Sequence, residues 1–155
     1  MLPNFYIVGA PKSGTTSLFH YLDEHPDVFM CTVKEPNFFS YDEIVQQSLY
    51  YSEKGVRNLE AYEALFENVA SETAIGEAST SYLFYEKTPA KIKAMVPDAK
   101  IIIILRNPVD RGFSHYLMDS RIGYVNISFE DIVQKKTEHP LLDLYYQQFV
   151  ELGLY

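Results

Sequence analysis

Cysteine, positive charge and long apolar runs are all scarce in this sequence. The single cysteine, Cys31, allows no disulfide within the chain, and a reducing, cytoplasmic compartment is the simplest expectation. Thirteen Lys and Arg face 21 Asp and Glu, a formal net charge of -8. Such a chain has no general attraction for nucleic acid, which sets that partner aside. Any anionic ligand must be held by a local cluster of donors. The longest aliphatic run, Ile101 to Leu105, is far too short to span a bilayer. No charged segment followed by a long apolar stretch opens the chain, so neither a signal peptide nor a membrane partner is expected. Asn126-Ile127-Ser128 then reads as a chance match to a glycosylation sequon. The four histidines share no metal-ligand spacing with one another or with Cys31, and no metal site is expected. Repeats and low-complexity segments are missing too.

What is present is a globular composition, 47% hydrophobic over 155 residues, enough for one α/β domain spanning 1–155. Phe5 to Val8 reads as a buried strand ending at Gly9. A helix is expected from Thr15 to Glu24, with Leu18, Tyr21 and Leu22 on one face, and His25-Pro26-Asp27 stops it. Further strands are expected at Val28–Val33, Ala74–Gly76 and Lys100–Leu105; the last is too uniformly apolar for a half-exposed sheet. Residues 40–58, polar and rich in tyrosine, read as a helix followed by a loop. Helices are also expected at Leu59–Asn68, from an N-cap at Thr88 with Pro89 at N1, after Asn107-Pro108, after a Ser128/Asp131 capping box, and at Leu141–Leu152. Alternating strands and helices predict a parallel sheet covered on both faces. Ligands of such sheets sit at the carboxyl ends of the strands. Three polar segments fall there: the loop after Val8, Lys34-Glu35, and Arg106-Asn107.

The loop Gly9-Ala10-Pro11-Lys12-Ser13-Gly14-Thr15-Thr16 joins a strand to a helix. Such a loop aims backbone N–H groups and a positive helix end at an anion. It is close to the P-loop pattern, but Thr15 stands where nucleoside-triphosphate enzymes place lysine, and the lysine sits back at position 12. Those enzymes also place an aspartate after an apolar strand to hold Mg²⁺. Here Arg106 follows the strand; it binds no metal but grips phosphate through parallel hydrogen bonds. Both departures point to metal-independent chemistry on a phosphorylated nucleotide. A nucleotide kinase or NTPase is the alternative, and position 15 argues against it.

At these residues the chain resembles the sulfotransferases that use 3′-phosphoadenosine 5′-phosphosulfate (PAPS) and release adenosine 3′,5′-bisphosphate (PAP). Pro11 to Leu18 is similar to that family's 5′-phosphosulfate loop, and Leu105 to Tyr116 to its 3′-phosphate segment. Lys34-Glu35-Pro36-Asn37-Phe38-Phe39 is similar to a segment of the heparan-sulfate-type and related bacterial members. The resemblance runs from about Phe5 to Tyr155. It implies a P-loop-like parallel β-sheet with helices on both faces, and sulfuryl transfer from PAPS to a hydroxyl or amine of a carbohydrate or small molecule, without a metal. It implies that Lys12 contacts the bridging oxygen, that Ser13, Gly14, Thr15, Thr16 and Ser17 bind the 5′-phosphate, and that Arg106 and Ser114 bind the 3′-phosphate. Glu35 matches the general base of the glycan-type members, with Glu77 as a rival base. Asn37 and Ala78 depart from the histidine and lysine that those members often carry. The chain stops at Gly153-Leu154-Tyr155, where a similar Gly-x-Tyr in relatives begins a further segment, so a C-terminally short form is expected. A nucleotide-binding fragment with an incomplete site is the second alternative, and a homo-oligomer that completes the site is a further expectation.

Acceptor contacts are expected from variable loops at residues 38–58 and 119–127. His20, His25 and His139 read as structural or exposed. His115, though next to Ser114, is expected to point about 100° away from it around the helix. Cys31 reads as a small buried hydrophobe.

Overall fold

The computed structural model describes residues 1–47 and 55–155. Four strands, β1 (Phe5–Gly9), β2 (Val28–Met30), β3 (Ala74–Ala78) and β4 (Lys100–Ile103), form one parallel sheet in the order β2-β3-β1-β4. Phe5 pairs with Gly76 on one side and with Lys100 on the other. Parallel strands need crossover connections. These are supplied by α1 (Thr15–Asp23), by α2 (Tyr41–Gln46) with α3 (Leu59–Ala64), and by α4 (Thr88–Met95). Then follow α5 (Pro108–Arg121), α6 (Phe129–Gln134) and α7 (Leu142–Phe149). The α/β class and the parallel sheet match the sequence reading.

Every residue of the central strand β1 is buried. It packs with Phe19, Phe39, Tyr62, Phe66, Tyr82 and Ile92 in the main core. A second cluster joins the last three helices around Val125, Ile132, Tyr145 and Phe149.

Local differences from expectation have local causes. On α1 the inward stripe is Thr15, Leu18, Phe19 and Leu22, and Tyr21 faces outward at 72% exposure. β2 ends at Met30, three residues early; the Cys31 N–H makes the last ladder bond, to the Gly76 carbonyl, and its thiol donates to the Val33 carbonyl. Cys31 is buried, and burial pushes its thiol up to about 12. β3 runs on to Ala78 and so takes Glu77 into the sheet. Thr88 is the first helical residue of α4, and Lys87 is the N-cap. The last expected helix is shorter, closing as a 3₁₀ turn at Glu151–Gly153. Residues 48–54 of the expected helix and loop lie outside the described residues. β4 is the largest correction. Among the described residues it is an edge strand paired with β1, and strand alternation turns Ile102 to the core while the other face is uncovered, leaving Ile101, Ile103 and Leu105 48%, 50% and 54% exposed. The predicted Ser128 cap forms, its side chain accepting from the N–H of Asp131, and the Asn107 side chain caps α5 by accepting from the N–H groups of Val109 and Asp110.

α5 docks on α7 through contact without a side chain. A Cβ added to Gly112 falls 2.2 Å from the Phe149 carbonyl oxygen, and the neighbouring Arg111 guanidinium donates to the same oxygen at 2.6 Å and to that of Gln148 at 3.1 Å. Those are two carbonyls of the last turn of α7, so a buried cation caps that helix. Because backbone must move, Gly112→Ala is expected to destabilise the fold by about 1–3 kcal/mol. Urea denaturation checks this; an unchanged midpoint contradicts the close docking.

Candidate functional site

The loops at the carboxyl ends of all four strands meet. Ala10 N–H donates to the Ile104 carbonyl at 2.7 Å, tying the loop after β1 to the loop after β4. Glu35 N–H donates to the Ala78 carbonyl at 2.8 Å, tying the loop after β2 to the end of β3. Between these loops and α5 lies a cleft of about 700 Å³. Its wall includes Lys12, Gly14, Thr15, Thr16, Lys34, Glu35, Arg106 and Ser114. Ser13 and Ser17 do not line it; Ser17 is exposed on the first turn of α1.

The loop after β1 is shaped to receive an anion. Gly14, the N-cap of α1, has φ 98°, which is left-handed backbone that favours glycine, and no side chain caps the helix start. No atom lies within 4 Å of where its Cβ would stand. The first-turn N–H groups of α1 have no side-chain acceptor at the N-cap. The buried Ser13 Oγ also lacks a hydrogen-bond partner. An oxyanion bound at this terminus would supply the missing acceptors. Two cations flank the position, and neither is in an ion pair among the described residues. Lys12 Nζ donates to the Met118 sulfur at 3.3 Å. Arg106 Nη1 donates to the Lys12 carbonyl at 3.2 Å, leaving its other N–H groups to the cleft. These groups fit a phosphorylated donor such as PAPS.

Glu35 enters the same cleft from the loop after β2, its carboxylate 2.6 Å from Lys34 Nζ. Glu77, the rival base, is absent from the wall. It is fully buried, and its carboxylate accepts from Ser79 at 2.6 Å, Tyr62 at 2.5 Å and Tyr82 at 3.1 Å. Burial raises its pKa to about 7, and the charge of Glu35 pushes the same way, against the lowering effect of the hydroxyl bonds. Four non-glycine residues among those described have positive φ: Lys12, Glu35, Asn37 and Lys135. Three of these four line the cleft. Left-handed backbone at non-glycine residues costs roughly 1–3 kcal/mol and gathers at functional sites.

Some wall residues escaped the sequence reading. His115 lines the cleft with Ser114 rather than turning away from it, and Asp119 and Gln148 join them. His115 Nε2 is 3.6 Å from the Asp119 carboxylate, one helical turn away. Burial and the nearby Arg111 and Lys12 charges push the imidazole toward its neutral form. The i, i+4 spacing of Arg111, His115 and Asp119 was the available signal. Of the expected acceptor segments, Ile44, Asp119, Ile122 and Tyr124 reach the wall; Thr80, Ser81, Phe84 and Tyr85 reach it unforeseen. Among the described residues no group of three or more His, Cys, Asp or Glu is placed to hold a metal ion, and no helix is long and apolar enough to cross a membrane.

Known proteins are similar to this chain in sequence and in fold. A sulfotransferase from Alicyclobacillus acidocaldarius, known from a crystal structure, superposes with a TM-score of 0.81 at 38% identity, covering 100% of this chain and 65% of that one. Human heparan sulfate glucosamine 3-O-sulfotransferase 3B1 is 30% identical over 99% of this chain and 36% of its own length. Mouse carbohydrate sulfotransferase 15 is 31% identical over 88% of this chain and 30% of its own. The chain therefore spans about a third of these two curated relatives. The profile of the Sulfotransferase family matches residues 3–153, nearly the whole sequence, and the chain belongs to the sulfotransferase family.

Proposed function

We propose that this chain transfers a sulfuryl group from PAPS to a hydroxyl or amine on a carbohydrate acceptor. One observation carries this reading. A single cleft holds two unpaired cations, Lys12 and Arg106, an uncapped helix start, and one carboxylate, Glu35. The carbohydrate class is supported by relatives named for heparan sulfate glucosamine and for carbohydrate.

Each residue has a physical task. Backbone N–H groups of residues 13–16, with the hydroxyls of Thr15 and Thr16, hold the 5′-phosphate. Arg106 and Ser114 hold the 3′-phosphate, the arginine through charge-assisted bonds. Met118, Ile122, Tyr124 and Leu152 give the adenine an apolar wall. PAPS supplies the activated sulfuryl group. Lys12 places positive charge where the departing phosphate gains negative charge, the kind of electrostatic stabilisation that dominates such reactions. Glu35 accepts the acceptor's proton as the new O–S or N–S bond forms and the bond from sulfur to the phosphate oxygen breaks. Lys34 holds the Glu35 carboxylate from the side.

Transfer of radiolabelled sulfate from PAPS to desulfated heparan oligosaccharide tests the reading. Lys12→Ala is expected to lower kcat by about 100-fold or more. Turnover near that of the unmodified chain contradicts the role of Lys12. Arg106→Ala is expected to weaken PAP binding by about 10- to 100-fold, from the loss of charged hydrogen bonds. An unchanged PAP affinity contradicts the phosphate clamp.

A further inference from the structure

The buried carboxylate of Glu77 has no contact with the cleft, yet its hydrogen bonds lead there. A carboxylate in the core is costly unless fully satisfied. Three hydroxyls satisfy this one, and the Ser79 hydroxyl proton goes to it at 2.6 Å. A serine hydroxyl has one proton. With that proton committed to Glu77, Ser79 Oγ has only lone pairs to offer elsewhere. It accepts from Asn37 N–H at 3.0 Å. Asn37 in turn donates its side-chain N–H to the Glu35 carbonyl at 3.0 Å and accepts from Ser81 at 2.7 Å. The chain of bonds ends on the left-handed turn at Glu35 and Asn37, φ 58° and 52°. That backbone needs external support.

We propose that Glu77 is the positioning residue for Glu35: by taking the Ser79 proton it makes Ser79 an acceptor for the Asn37 amide, and so fixes the turn that presents Glu35 to the cleft. The proposal rests on the reading of Glu35 as base only for its effect on turnover. The turn itself is read without any acceptor or donor.

The groups packed around Glu77 are Tyr6 of β1, Cys31 after β2, Tyr62 of α3 and Tyr82 in the 3₁₀ turn after β3, with Glu35 and its partner Lys34 beyond. Burial and the Glu77 charge push Tyr6, Cys31, Tyr62 and Tyr82 above their usual values, so these four stay neutral near pH 7. Glu77 itself titrates there. As pH falls through about 7 it gains a proton and its demand for the Ser79 proton weakens.

The test is amide NMR of the ¹⁵N-labelled full chain between pH 5.5 and 8.5. The Asn37 amide proton shift is expected to titrate near pH 7 in the unmodified chain. That titration is expected to vanish in Glu77→Gln and in Ser79→Ala, the second variant leaving the buried carboxylate in place should the first fail to fold. No titration of the Asn37 amide near pH 7, or one that survives Ser79→Ala, overturns the proposal. PAP added to the same samples should shift the Gly14 amide in all three proteins. A missing Gly14 response counts against the donor site and leaves the Asn37 result to judge Glu77 alone. In the sulfate-transfer assay, Glu77→Gln is expected to lower kcat about 10- to 100-fold with PAP affinity unchanged. It is expected to cost nothing further in a Glu35→Gln background; additive losses overturn the positioning role.

Discussion

On the proposed reading, a chain of net charge -8 that is to hold a polyanion must keep a few cations free of its own carboxylates. The architecture around the cleft follows from that constraint. β1 is central, so the loop that follows it is flanked by the loops after β3 and β4. Left-handed backbone at Gly14 and Lys12 turns the loop so that the helix start faces outward. Lys12 is kept against the Met118 sulfur and Arg106 against a backbone carbonyl, so neither charge is neutralised. By contrast, Lys91 is spent on Glu43 at 2.9 Å, where it ties α4 to α2. Placement, more than the number of cations, makes the site.

The opposite wall is built on a buried anion. Glu77 sits inside β3 with its charge shared among three hydroxyls, and one of those, Ser79, passes its orientation on to Asn37. The two walls thus use opposite devices. One leaves donors unsatisfied, open to a ligand; the other satisfies its buried carboxylate with three hydroxyls and ties a turn to it. α5 joins the two by carrying Ser114, His115 and Asp119 along its cleft side while Arg111 and Gly112 lock it to α7.

Much of this was legible in the sequence. The loop after β1 is contiguous, and its glycines, lysine and threonines state their geometry locally. The place of Arg106 on the cleft wall was legible because it follows an apolar strand directly. The edge position of β4 was not, because strand order is a property of the whole sheet and Ile101 to Leu105 reads the same at an edge or a centre. The support of Glu35 was not legible either, since Asn37 and Ser79 lie 42 positions apart and meet only when β2 and β3 pair. For Glu77 the sequence offered a carboxylate near the site and no way to tell wall from core; burial decided it. His115 was misplaced because helical spacing from Ser114 was weighed without knowing how wide the cleft opens along α5.

The most direct measurement is calorimetric titration of the full chain with PAP in the absence of Mg²⁺, repeated with ATP and Mg²⁺. Metal-free binding of PAP, with little binding of ATP, is the predicted result, because on the proposed reading Lys12 and Arg106 meet phosphates directly, and Arg106 rather than an acidic residue follows β4. Binding of ATP with Mg²⁺ and none of PAP would contradict the donor site and assign the cleft to a nucleoside triphosphate.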